Sequence, residues 1–419
     1  MKEKRPKRAD LDVKYILKTY WSFLRKYKPL IIGIVICGFL LPALGFAQRS
    51  FFKKIIDSGE LFVKNQMVYS KLIGIITTIA ILWVAVILFR SIIRWFRTHF
   101  INILESKTMF DLKNYYYNHI LTLSHKFHKT HKTGSLIARI TRGSSAMERM
   151  TDFASFQTMS VFFELIISGI ALMFIDKKIG FTILLIGIVF VIYSSRLQKI
   201  QRKLNVLTNN AEDMEKAMIG DTFTNIDSIK YYGKEDLVHN KYISKAQKTS
   251  NSLLNQWNIG RWSGSGEAVI MDIGGLVTLA IIIKSFIDGN TTLGTITFVW
   301  SSYWAIIDNV RVFMDGLRGY NRSIADFHDL FQYGKIENEV KDKPNAKNLE
   351  IKEGTIEFKN VSFKYHSNEL FKNFNLKVNK NQKVALVGHS GSGKSTLVNL
   401  LYRLYDLDSG IIKIDNKNI

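Results

Sequence analysis

The chain has 419 residues, 47% of them hydrophobic, and a formal net charge of +23. That length allows two or three domains. The charge alone would suit a nucleic-acid binder, but long uncharged apolar runs argue against one and for a bilayer protein with its positive charge on the cytoplasmic side. A single cysteine, Cys37, excludes an intrachain disulfide.

The first residues, Lys2 to Arg8, are basic and lead into mixed sequence, without the short apolar core of a cleavable signal peptide. From Asp10 to Lys28, Tyr15, Tyr20, Trp21 and Phe23 alternate with Lys18, Arg25, Lys26 and Lys28. This pattern predicts an amphipathic helix at the membrane surface. Six spans follow. The first is uncharged from Pro29 to Gln48 and the second from Leu72 to Phe89. Each approaches the roughly 20 residues that cross about 30 Å of hydrocarbon. The third runs from Phe153 to Ile175 with Glu164 near its middle, and the fourth from Ile179 to Ser195. The fifth runs from Glu267 to Ile283, and the sixth is uncharged from Thr292 to Ile307.

The links between spans are unequal. Asp176 to Lys178 joins the third to the fourth, and Lys284 to Asn290 joins the fifth to the sixth. The stretches from Arg90 to Thr151 and from Arg196 to Arg261 are long, basic and helix-compatible. Both fall on one side of the membrane, and their Lys and Arg content makes that side cytoplasmic. A helix from Arg90 to His125 would reach roughly 50 Å beyond the bilayer. The helix of the sixth span continues to about Phe331, and a polar stretch containing Pro344 reads as a linker. The domains expected are therefore a basic tail and interfacial helix at 1–28, a membrane domain at 29–333, a linker at 334–352 and a further domain at 353–419.

That last domain opens with alternating apolar and polar residues from Thr355 to Tyr365 and from Leu370 to Val378, which predicts two strands. The apolar run Val384 to Val387 predicts a buried parallel strand. After it come Gly388, His389, Ser390, Gly391, Ser392, Gly393, Lys394, Ser395 and Thr396, which fit the phosphate-binding loop G-x-x-x-x-G-K-[ST]. Glycines let backbone N–H groups converge on phosphate oxygens. Lys394 supplies a cation for the terminal phosphates, Ser395 a hydroxyl for Mg²⁺, and the following helix aims its positive end at the same anion. A further strand is expected at Ile411 to Ile414.

Other polar residues have plainer readings. His125, His128 and His131 lie among Lys126, Lys129 and Lys132, which would repel a metal ion, so a solvated or docking face is expected. Glu164 is costly in lipid, about 2.5–3.5 kcal/mol, and is expected to face other helices or a cavity. Arg90, Arg94 and Arg97 are expected to snorkel at the inner boundary of the second span. Asp308, Arg311, Asp315, Arg318 and Arg322 share one helix face. Asp308 and Arg311 are the two of these within or at the edge of the hydrocarbon layer. They are expected either to line the translocation path with Glu164 or simply to pair with each other.

Six spans with two long cytosolic excursions, a linker and a phosphate-binding domain resemble the ATP-binding-cassette exporters, and more closely a half-transporter with its membrane domain first. Lys383–Leu397 is close to the family's form letter by letter. Val361–Tyr365 matches the strand whose tyrosine stacks on adenine, and Asp408–Asp415 matches the strand beyond the first helix. Lys132–Leu136 with Arg139 resembles the first cytosolic loop, and Asn225–Glu235 the second. The resemblance implies coupling helices at about 129–136 and 231–238. It implies a helical membrane domain of six transmembrane helices with long cytosolic extensions, followed by the N-terminal part of an α/β P-loop ATPase domain. It also implies ATP with Mg²⁺ as cofactors, Tyr365 as the adenine platform, and a second half-transporter as partner, identical or different. Asn381 stands where the family has Gly, a mild departure because Asn tolerates a left-handed turn. Gly143 stands where many exporters have Asp.

The family's glutamine loop, signature sequence, catalytic Glu and switch His have no counterpart in these residues. The chain by itself is therefore expected to be inactive as an ATPase. The function implied is ATP-driven export of an unidentified substrate by alternating access, from a multi-pass position in the cell membrane. The alternative is a partner subunit that binds ATP without hydrolysing it.

Overall fold

The computed structural model describes residues 12–131, 133–342, 346, 348–365, 368–389 and 391–419. Contacts divide the chain into two units, one of Met1–Lys26, Glu105–Arg149 and Asn321–Ile419, the other of Tyr27–Leu104 and Met150–Tyr320.

Helix α1 (Val13–Leu24) is capped by Asp12, whose carboxylate accepts the Tyr15 N–H at 3.0 Å. Helix α2 (Lys28–Val63) starts with Pro29 in its first turn, where the missing N–H has no intrahelical partner to lose. It is followed by α3 (Tyr69–Thr122), the short α4 (His125–Thr130) and α5 (Thr133–Asp152). The third predicted span is helical throughout with two π turns: a π-helical turn at Phe153–Thr158, α6 (Met159–Glu164), a second π turn at Leu165–Gly169, and α7 (Ile170–Ile175). Then come α8 (Lys177–Thr224), α9 (Ile226–Tyr231), α10 (Glu235–Ile287) and α11 (Leu293–Phe331).

Five helical stretches among the described residues are long and apolar enough to cross a membrane: Val13–Val63, Tyr69–Thr122, Leu136–Ile175, Lys177–Asn205 and Glu235–Ile287. The sixth expected span lies on α11, which is continuous but does not reach that hydropathy. Its Ser301, Ser302, Tyr303 and Trp304 dilute the apolar residues around them. In their own unit, α8 packs along α10, and Phe190, Ile282, Val299, Tyr303 and Ile306 form a buried core. The first turn of α11 is capped from α2: the Gly294 N–H donates to Asp57 Oδ1 at 2.8 Å and the Leu293 N–H to Glu60 Oε2 at 3.2 Å. These carboxylates satisfy donors that a helix start leaves orphaned.

Two stretches outside the spans bear on the expectations for them. The amphipathic α1 buries Ile16, Tyr20, Phe23 and Leu24 against protein. Tyr20 meets Phe327 at 5.9 Å and Phe23 meets Tyr115 at 6.0 Å. Only the stripe Val13, Leu17 and Trp21 is left exposed for a membrane surface. The short helices of the two loops are α4 and α9, several residues before the expected 129–136 and 231–238. Ser124 caps α4, accepting the Phe127 N–H, and the turn Tyr232–Lys234 with Gly233 at φ 57° ends α9, so local capping sets both positions.

Gly143 has a packing reason. A Cβ there would overlap Leu330 Cδ2, so a larger residue would require the Leu330 side chain to shift. Beside this contact the half-buried Asp326 receives Arg149 at 2.6 Å and Arg142 at 3.7 Å. Burial pushes the Asp326 carboxyl up, and the pull of Arg149 and Arg142 only partly offsets it.

The C-terminal sheet is antiparallel, in the order β2-β1-β3-β4. Its strands are β1 (Ile356–Tyr365), β2 (Asn368–Val378), β3 (Ser409–Ile414) and β4 (Lys417–Asn418), with α12 (Lys394–Leu401) between β2 and β3. Phe358, Val361, Phe363 and Ile412 pack under Leu397 and Leu400 of α12. Asn381 adopts φ 60°, the left-handed turn expected of it.

The strand expected at 384–387 does not form: no described strand pairs with it, and Val387 is 89% exposed. A central parallel strand needs neighbours on both edges and cover on both faces. The antiparallel sheet present provides neither.

Candidate functional site

The glycine loop of residues 388–396 is built by backbone conformation. Gly388, Gly391 and Gly393 take φ of 155°, 86° and 95°, and Gly393 is the residue from which α12 departs. A side chain at Gly393 would strike Phe371 at 2.8 Å, so the fold itself demands glycine there. Lys394 curls back over the loop. Its Nζ donates to the Gly388 carbonyl at 2.6 Å, the His389 carbonyl at 2.8 Å and Ser392 Oγ at 3.3 Å. An ammonium held by three neutral acceptors would gain by exchanging them for charged ones. Ser390 lies outside the described residues.

Ser395 and Thr396 line a cavity of about 470 Å³ together with Tyr365. The ring of Tyr365 stands edge-on to Tyr405 at 5.2 Å and to Phe363 at 4.8 Å, which fixes its plane. Burial, and then the neighbouring Tyr365, push the Tyr405 phenol up. Lys126 and Lys129, Glu339, Asp406 and Asp408 complete the rim, and Lys126 Nζ pairs with Glu339 Oε1 at 3.0 Å. Tyr405 and Glu339 were not singled out from the sequence. Tyr405 follows α12 by a few residues, but nothing in its local pattern marks it as a ring support. His125 packs edge-on to Tyr405 at 5.8 Å and His131 stacks on Phe127 at 4.1 Å, so both rings are used in packing.

Asp415 holds the sheet together behind the site. Its carboxylate accepts the N–H of Lys352 at 2.7 Å, of Glu353 at 3.0 Å and of Thr355 at 2.8 Å. These bonds, led by that from Lys352, hold the carboxyl well below its ordinary range. With the folded value depressed, the stabilisation is present above the unfolded value of about 3.9 and is lost as pH falls through the folded one. Asp415→Asn is expected to lower thermal stability at neutral pH and to flatten its decline between about pH 5 and pH 2. Unfolding curves across that range that superimpose on the wild type would contradict the assignment.

A second polar cluster lies in the membrane unit. Glu164, 4% exposed, receives Arg49 Nη2 at 2.7 Å, and Ser168 Oγ bonds both Arg49 at 2.6 Å and Glu164 at 2.5 Å. Arg90 donates to Gln48. Arg97 is buried, donating to the Ser155 carbonyl and lying 4.8 Å over the Phe156 ring. The expectation that Arg90 and Arg97 snorkel is therefore corrected. Both turn inward, because the π turn frees a carbonyl for Arg97 and Gln48 supplies an oxygen for Arg90.

The structure does not bring Glu164 together with Asp308 and Arg311. Those two pair with each other at 2.7 Å, with side chains 59% and 51% exposed. Arg49 was missed in the sequence. The available signal was its place directly after the uncharged first span, ahead of fourteen further helical residues.

Residues 30–307 match the ABC transporter transmembrane region, and residues 371–419 match the ABC transporter family. An ATP-binding/permease protein of Bacillus subtilis (strain 168), YgaD, provisionally named for multidrug export, is 27% identical over 416 residues, covering 96% of this chain and 70% of that protein. A Staphylococcus aureus (strain NCTC 8325) protein with the same provisional description is also 27% identical, over 419 residues, with the same coverage of each chain. Among solved structures, a bacterial Atm1-family ABC exporter with ATP bound superposes with a TM-score of 0.75 at 22% identity, over 93% of this chain and 69% of that one.

Proposed function

Because this chain belongs to the ABC transporters, we propose that it exports a substrate across the cell membrane, powered by ATP bound at the loop of residues 388–396. It works as one half of a dimer with an identical or related chain, by alternating access. The observation that carries the reading is the joining, in one chain, of a multi-span membrane region to a glycine loop whose Lys394 already faces acceptor oxygens. Tyr365, with its plane fixed by Tyr405, offers a face to the adenine ring, a contact worth about 1–3 kcal/mol. The loop N–H groups and Lys394 receive the phosphates. Ser395 presents its hydroxyl to the same cavity and would hold Mg²⁺ there, which neutralises phosphate charge when bound. The loop positions phosphates but does not itself activate water.

Glu164, Asp308 and Arg311 are proposed to line the path. The exposure of Asp308 and Arg311 supports access from a water-filled space, since charged residues at that depth avoid lipid. A cysteine placed at 308 or 311 in a Cys37→Ser background is expected to react with a membrane-impermeant thiol reagent in inside-out vesicles. That reaction is expected to weaken when ATP binds. No labelling in either condition would remove these residues from the path. ATP-driven uptake into the same vesicles tests the export reading itself.

A further inference from the structure

The cluster around Glu164 holds more positive charge and more hydrogen-bond donors than its own acceptors satisfy. Arg49 and Arg90 face one carboxylate, and Arg90 also feels Arg94 electrostatically. Glu164 Oε1 is already shared by Arg49 Nη2 and Ser168 Oγ, and Gln48 Oε1 is taken by Arg90 Nη1. The Nε atoms of Arg49 and Arg90 are both buried without any acceptor. A pair kept only for packing would match one cation to one anion. Here an unpaired guanidinium sits within a membrane region, where both uncompensated charge and unmade hydrogen bonds are expensive.

We propose that Arg49 and Arg90 form a recognition site for an acceptor-only anionic group, a carboxylate, phosphate or sulfonate on an amphiphilic molecule. Such a group supplies the missing negative charge and accepts from guanidinium N–H donors left without an acceptor. Glu164 sets the strength of the site by competing for Arg49, and Ser168 holds that carboxylate in line. The anion site stands on this geometry alone. Its assignment as the cargo site rests on the export reading above.

The test uses the full chain in phosphatidylcholine nanodiscs, with binding of carboxyfluorescein, an anion, and ethidium, a cation, followed by fluorescence anisotropy. Arg90→Gln is expected to weaken carboxyfluorescein about tenfold, the loss of one charge-assisted contact, and to leave ethidium unchanged. Glu164→Gln keeps the shape but removes the competing charge, so it is expected to tighten carboxyfluorescein, and the dye is expected to raise the thermal stability of that variant. This second arm has the opposite sign and survives a failure of Arg90→Gln to fold.

Repeating the titration in phosphatidylglycerol-rich nanodiscs separates two sources of the same chemistry. Displacement of the dye by that lipid keeps the anion site but assigns it to a headgroup, overturning the cargo role. Equal dye binding by wild type, Arg90→Gln and Glu164→Gln overturns the site altogether. Lys394→Ala is expected to bind carboxyfluorescein like wild type, so a failure of the nucleotide reading and a failure of this one leave different records.

Discussion

Lys394→Ala is expected to abolish ATP-driven transport while leaving the chain inserted in the membrane. The Lys394 amine is bonded to the loop's own oxygens, Gly388 O, His389 O and Ser392 Oγ. Alanine removes that charge from the place where the proposed phosphates would sit, and a single preorganised stabiliser of this kind is worth about 10²–10³ in rate. The backbone need not change, because the glycine φ values and the start of α12 do not depend on the lysine side chain. Membrane insertion depends on apolar spans in the other unit. Transport in vesicles, compared at matched protein levels, measures the effect, and undiminished transport by the variant would remove the loop from the mechanism.

Glu164→Ala is expected to destabilise the membrane unit by about 3–5 kcal/mol, the range for removing one member of a buried ion pair. Glu164 and Arg49 side chains are only 5% and 14% exposed, so water does little to screen the charge left behind. Ser168 loses a partner as well. The double substitution Arg49→Gln with Glu164→Gln leaves neither member of the pair charged and supplies two hydrogen-bonding amides, and is expected to recover most of the loss. Denaturation in detergent measures both. Equal destabilisation by the single and double variants would contradict the assignment of the loss to the unpaired Arg49 charge.

Much of the fold was legible because hydrophobicity marks it. Spans one to five appear as largely apolar runs, each lying within a longer helical stretch, and β1 and β2 appear as alternation, within two residues of the strands found. The glycine loop was legible because its conformation demands particular residues. What was not legible depends on partners distant in sequence. The apolar run 384–387 reads as a strand, but a strand exists only where neighbours offer hydrogen bonds. Arg90 and Arg97 read as boundary residues, and only the Gln48 side chain and the Ser155 carbonyl of a π turn show that they point inward. The Arg49–Glu164 pair joins residues 115 apart, and Tyr405 supports Tyr365 from beyond α12. No local pattern carries either contact.

The central claim, that an adenine nucleotide binds between Tyr365 and the loop, is tested most directly by photolabelling the full chain with 8-azido-ATP and mapping the modified peptide. The account predicts attachment within β1 at or beside Tyr365, prevented by excess ATP and lost in Lys394→Ala. Label that falls away from this cavity, or that ATP does not compete, would contradict it.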